Sequence, residues 1–265
     1  MSINPILSGG ITSMFQFPVF RNLYADLGGD SHPDHPIRMM LEEMINVLLD
    51  AEMDIFLAGQ IDRGVINKRN GKIQKRVRSN SGTLDIRTPR DRRGDFRPRL
   101  IPKWVKDVSI PMEVILLCLY SQHSLEVAVP KAIDTLYQGE LDDASLDFLS
   151  NAAINCIKAF RSRPIDAYHT LVFVQTYSVG DLAGKFSLCP DEWLAIFTQS
   201  ADGVVEVLYL YDRSFVSWPE VIENLRDRGL TFFRSLNSDL SQRDAENLIS
   251  AFSVTGIRRM EAEAS

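Results

Sequence analysis

Cysteine, histidine and tryptophan are scarce in this chain, at three, four and three residues among 265. The cysteines, Cys118, Cys156 and Cys189, lie far apart, which excludes the dense disulfide framework of a small secreted domain and the paired spacing of a zinc site. Two of them fall inside apolar helical patterns and read as buried, reduced thiols. His32 and His35 with Asp30 and Asp34 could be drawn around a metal ion. They sit, however, in a Gly/Pro-rich arm that offers no distant fourth ligand. Long apolar runs are also missing. Nothing approaches the roughly 18 residues of a membrane span, and the N-terminal apolar stretch is too short and mixed for a signal peptide, so the expectation is a cytoplasmic protein with no membrane partner.

At 45% apolar and 24% charged residues, the chain is an ordinary globular sequence with room for one large domain or two small ones. Its charge is not ordinary in distribution. The segment Arg63–Lys106 carries 15 Lys and Arg against Asp85, Asp91 and Asp95, a local +12 in a chain of net charge −6, which leaves −18 on the rest. Such segregation draws a polyanion to one face while the remainder repels it, the electrostatic footprint of a nucleic-acid binder. The plain alternative is a solvated basic hairpin.

Periodicity divides the chain into an arm (1–35), a long helix with a basic hairpin (36–108), a helical segment (109–165) and a mixed α/β segment (166–265). Ile37, Met40, Leu41, Met44, Ile45 and Leu48 give a helical period from Pro36 to about Leu57, with Gly59 as the expected stop. Two alternating runs, Lys72–Arg78 and Thr83–Thr88, flank Ser79-Asn80-Ser81-Gly82, which is hairpin chemistry. Lys72, Gln74, Arg76 and Arg78 then share one face. These cations and Arg90, Arg92, Arg93, Arg97 and Lys103 beyond the second run are the candidate phosphate contacts, with double-stranded DNA as the expected partner. Helices are predicted over Met112–Tyr120, Leu125–Tyr137 and Ser145–Phe160. They suit a helix-turn-helix or, equally, a small packing bundle, because acids (Asp142, Asp143, Asp147) lead the last one. Strands follow at Leu171–Val179, Trp193–Gln199 and Val204–Tyr211, then a helix Trp218–Arg228 stopped by Gly229, a strand Leu230–Leu236 and a helix from Ser241 to about Phe252. That is the opening order of a ribonuclease-H-like fold, and the fold class predicted is α+β.

The block PRDRRGDFRPRLIPK, Pro89–Lys103, and the preceding RNGKIQKRVRSNSGTLDIRT resemble the Mutator-type transposases of bacterial insertion sequences. Fainter likeness continues in LEVAVPKAIDTLYQGELDDASLDFLSN, RSRPID, DGVVEVLYLY and WPEVIENLRDRGL. The resemblance runs from about Arg38 to Asp239. It implies a ribonuclease-H-like domain in which two Asp and a later Glu hold Mg²⁺ for DNA cleavage and strand transfer, since a hard divalent ion prefers anionic oxygen. Gln175 stands where the first Asp is expected and Asp239 is a candidate for the second. Asp239 also suits a helix N-cap, and Asp166 and Asp181 have no assigned role. The third carboxylate has no counterpart before Ser265. The expectation is a truncated, catalytically degenerate relative with no cofactor. It would bind DNA ends at the nucleoid to regulate transposition or transcription, assembling with itself or with an intact transposase. An active DDE-type transposase with unusual ligands and a protein-interaction module that no longer binds DNA are the rivals.

Overall fold

The computed structural model describes residues 36–165, 169–178, 189–200 and 205–230. The arm with its His/Asp cluster, Asp166, Asp181, Asp239 and the helix expected at 241–252 lie outside the described residues, as does all but Leu230 of the strand expected at 230–236. The described chain forms two compact units, 36–158 and 159–230. Both mix helix and antiparallel sheet.

In the first unit, α1 (Pro36–Asp62) leads into a hairpin of β1 (Arg69–Ser79) and β2 (Gly82–Asp91), followed by α2 (Ile110–Ser121), α3 (Leu125–Leu136) and α4 (Asp143–Ser162). The apolar stripe of α1, Ile37 through Met53, is almost fully buried, as a helix with residues repeating at three and four positions requires when it packs on one side. The helix passes through Gly59 rather than stopping there. One internal glycine costs a helix only about 1 kcal/mol, and the actual stop is Gly64, whose φ of +70° suits the left-handed turn that ends a helix. The Gly64 and Val65 amides close that end on the Ile61 and Gln60 carbonyls.

Helix α2 is the centre of the unit. Every residue from Met112 to Ser121 is buried, which explains a sequence (PMEVILLCLYS) with almost no polar face. Ser109 caps its start, accepting from the Met112 amide at 3.4 Å. Tyr120 ties three helices together: its hydroxyl donates to the Met40 carbonyl at 3.0 Å and lies 3.6 Å from the Cys156 sulfur. Cys118 and Cys156 are buried thiols. The acids leading α4 serve the helix itself, Asp142 accepting from the Ser145 amide at 2.8 Å.

The second unit contains β3 (His169–Ser178), β4 (Glu192–Ser200) and β5 (Val205–Asp212), an antiparallel meander in sequential order, then α5 (Trp218–Asp227). Its core joins Val174, Leu194, Ile196, Leu208 and Tyr209 of the sheet to Val221, Ile222 and Leu225 of α5. Gly229, at φ +102°, ends α5 as its sequence predicts, and the Leu230 amide returns to the Leu225 carbonyl. Buried Arg228 acts as a staple here. Its Nε donates to the Arg163 carbonyl at 2.7 Å and its Nη1 to the Leu208 carbonyl at 2.9 Å, pinning the entry of the unit to β5.

Candidate nucleic-acid interface

The basic hairpin is anchored at its turn and along both strands. Along β2, Glu42 and Asn46 of α1 accept from the Asp85 and Arg87 amides at 2.7 and 2.6 Å. Along β1, the Arg78 amide donates to the Lys106 carbonyl and the Val108 amide to the Arg78 carbonyl. The outer edge of β2 is therefore engaged at Asp85 and Arg87, and that of β1 at its Arg78 end. The Asn80-Ser81 turn is fastened by Glu113 of α2, which accepts from both backbone amides, from the Asn80 side-chain amide and from the Ser81 hydroxyl.

Register puts Lys72, Gln74, Arg76 and Arg78 on one face, opposite Pro89, Arg87, Asp85 and Thr83. The face is less cationic than its sequence. Lys72 pairs with Asp50 at 2.5 Å, Arg76 with Asp85 at 3.1 Å and Arg78 with Asp107 at 2.6 Å. Arg69 bridges Asp50 and Asp54. Exposed pairs of this kind are worth about 0–1 kcal/mol each, so a phosphate could displace the carboxylates, but each cation begins neutralised.

Beyond β2 the chain turns on Asp91. Its carboxylate accepts from the Asn67 side chain at 2.7 Å and from the Asp95 and Phe96 amides at 3.1 and 3.0 Å. Burial opposes the charge, yet these donors outweigh it and hold the carboxyl down at about 2. Gly94, at φ +72°, supplies the left-handed step inside that turn. The PRDRRGDF block is thus a carboxylate-organised turn that displays arginines. Arg93 pairs with Asp95 at 3.1 Å, and Arg97 donates to the Gly94 and Phe96 carbonyls at 2.7 and 2.8 Å. Arg90 and Arg92 are exposed and have no side-chain partner among the described residues. Lys103 lies over the Trp104 ring, 5.1 Å from its centroid.

All eight predicted contacts therefore fall within one unit, but in three groups: the paired hairpin face, the Asp91 turn and the loop carrying Lys103. Sequence reasoning missed the acids that organise them. Glu113 stands alone in an apolar helical run, and Glu52 follows an apolar turn of α1; both are buried. A lone carboxylate in such a run signals a buried acceptor. Glu52 takes the Leu100 amide and the Tyr137 hydroxyl on one oxygen, at 2.7 and 2.6 Å, and the Arg99 amide on the other at 2.7 Å.

A family model described as "Transposase, Mutator family" matches residues 23–243. The chain belongs to that family. It is 24% identical over 202 residues to the transposase for insertion sequence element IS905 of Lactococcus lactis, covering 74% of this chain and 51% of that protein. It is 22% identical over 205 residues to the transposase for ISRM3 of Rhizobium meliloti, covering 76% of this chain and 50% of that one. A third relative, the transposase for IS1201 of Lactobacillus helveticus, is 24% identical over 200 residues, covering 73% and 54%. The chain spans about half the length of these relatives.

Gln175 of β3, paired with Ala195, is a neutral amide, whereas a divalent ion such as Mg²⁺ prefers anionic oxygen. Asp239 lies outside the described residues, and among the described residues no group of three or more His, Cys, Asp or Glu could hold a metal ion. No helix among the described residues is long and apolar enough to cross a membrane.

Proposed function

We propose that this Mutator-family chain binds double-stranded DNA through the Arg63–Lys106 segment and does not cut it. The observation that carries the reading is a +12 segment on a hairpin anchored to α1, α2 and the 106–108 segment and on the turn that follows it, in a chain otherwise acidic. Fixed cations bind phosphate without first losing the entropy of ordering their backbone. The meander β3–β5 followed by α5 supports a ribonuclease-H-like second unit. The α3–α4 connection, with Gln138 and Gly139 both at positive φ, gives the tight turn that a helix-turn-helix uses. With Gln175 in the first carboxylate position, the work left to the chain is occupancy of DNA ends as a regulator of transposition or transcription, alone or with an intact transposase.

Binding to a labelled duplex across a salt titration tests this. Arg90→Gln/Arg92→Gln is expected to flatten the slope of log K against log salt by nearly two, one for each lost phosphate contact. Lys72→Gln/Arg76→Gln is expected to do less, because Asp50 and Asp85 already compete for those cations. Unchanged affinity and slope in Arg90→Gln/Arg92→Gln would remove DNA from the reading. A second reading, a module that docks an acidic protein, would then take its place, since the four carboxylates on Lys72, Arg76, Arg78 and Arg93 show this surface accepting acidic side chains.

Catalytic loss has its own test. Incubated with Mg²⁺ or Mn²⁺ and end-labelled inverted-repeat DNA, the protein is expected to leave the strands intact. Nicking that Asp239→Ala abolishes would show an active metal site built from other ligands.

A further inference from the structure

Trp104 is 80% exposed, although tryptophan is the residue a folded chain has most to gain by covering. It is not on a loose loop end. The Val105 amide closes a turn on the Pro102 carbonyl at 3.0 Å, and the same carbonyl accepts from Lys75 Nζ at 2.8 Å. Two residues later the chain is clamped to β1 through Lys106 and Val108. Lys103 and Trp104 therefore occupy the tip of a fixed β-turn that the ribbon itself holds out.

The turn stands by the less neutralised face of the ribbon. Lys75 shares its face with Ile73, and Thr88 and Arg90 alternate onto that same face of β2. Ile73 is 48% exposed and Arg90 is exposed, whereas Val77 and Leu84, towards the Asn80-Ser81 end of this face, are buried. A twisted ribbon produces this exchange, presenting one face at its tip and the other at its base. The cations of the first face, Lys72, Arg76 and Arg78, are paired with acids; Lys75, Arg90 and Lys103 have no acid partner among the described residues.

Resting on the DNA-binding reading, we infer that the Pro102–Val105 turn is a base-stacking site, in which Trp104 takes an unpaired base of DNA while Lys103 takes a phosphate beside it. Lys103 occupies one face of the indole and leaves the other for a ligand. A base inside a regular duplex has both its faces covered by neighbours, so only an unstacked one can use that surface. Aromatic stacking next to cations is the usual grip on such bases, and each stack is worth about 5- to 100-fold in affinity.

The test uses the full chain and two fluorescent duplexes, one fully paired and one carrying a single bulged thymine. The wild type is expected to bind the bulged duplex at least 5-fold tighter. Trp104→Ala should lose that preference while keeping its affinity for the paired duplex and its melting temperature, and Trp104→Phe should keep most of it. Equal binding of both duplexes by the wild type, unaltered in Trp104→Ala, would overturn the stacking site and leave the DNA-binding reading standing. Failure to bind either duplex would remove both.

Discussion

Replacing Glu113 by alanine is expected to lower the melting temperature of the first unit by on the order of 10 °C, more than any single loss of a surface arginine. The side chain is buried, and its two oxygens satisfy four donors of the Asn80-Ser81 turn. Removing it leaves the Asn80 amide without that acceptor, and the buried Ser81 amide with the Ser79 hydroxyl alone of these two acceptors. Breaking a buried, hydrogen-bonded charged contact from one side costs about 3–5 kcal/mol. At about 2–4 °C per kcal/mol this gives the expected shift. Glu113→Gln, which keeps one acceptor oxygen, should cost less than half as much. Glu126→Ala is the control, because that glutamate is exposed and pairs with Lys158 at 3.5 Å. A Glu113→Ala protein melting within about 2 °C of the wild type would show that the turn does not depend on this anchor.

That dependence also marks where sequence reasoning stops. The elements were legible because each rests on a local pattern: the hairpin on alternation around a Ser-Asn-Ser-Gly turn, α5 on its stripe and Gly229, the meander on β-branched and aromatic runs. Gly59 misled because a glycine's local cost is smaller than what the buried stripe of α1 gains across it. The interface was half legible. Local charge and the shared face of Lys72, Arg76 and Arg78 follow from spacing alone, but their partners do not. Asp50 lies 22 residues before Lys72 and Asp107 lies 29 after Arg78, so neutralisation is a property of the fold. The exchange of exposed faces along the twisted ribbon, and the clamp that presents Trp104, likewise need the tertiary structure.

The response to pH should be dominated by three carboxylates acting in opposite directions. For Glu52, burial raises the carboxyl above its ordinary 4.5, outweighing the Tyr137 hydroxyl and the Arg99 and Leu100 amides; burial raises Glu113 in the same way against its turn donors. A raised carboxyl binds its proton more tightly in the folded chain, so its contribution is fully present below the unfolded value and declines as pH rises through the folded one. Asp91 works in the other sense. Held at about 2 against an ordinary 3.8, it stabilises above the unfolded value and loses that contribution as pH falls through 2. Stability of the first unit is therefore expected to rise from pH 2 to about 4, then fall as pH rises above about 4.5. Glu52→Ala should cost about 3–5 kcal/mol at neutral pH, because the Arg99 and Leu100 amides and the Tyr137 hydroxyl are stranded together. Tyr137→Phe, which removes only one donor to a charged acceptor, should cost about 1.5–3 kcal/mol. The two effects should not add, since both break the same contact. Thermal melts of the wild type and these variants from pH 2 to 8 decide the matter. Stability that climbs steadily from pH 4.5 to 7, or a Glu52→Ala protein as stable as the wild type, would mean that Glu52 is solvated rather than locked between α1, the Arg99–Leu100 segment and Tyr137.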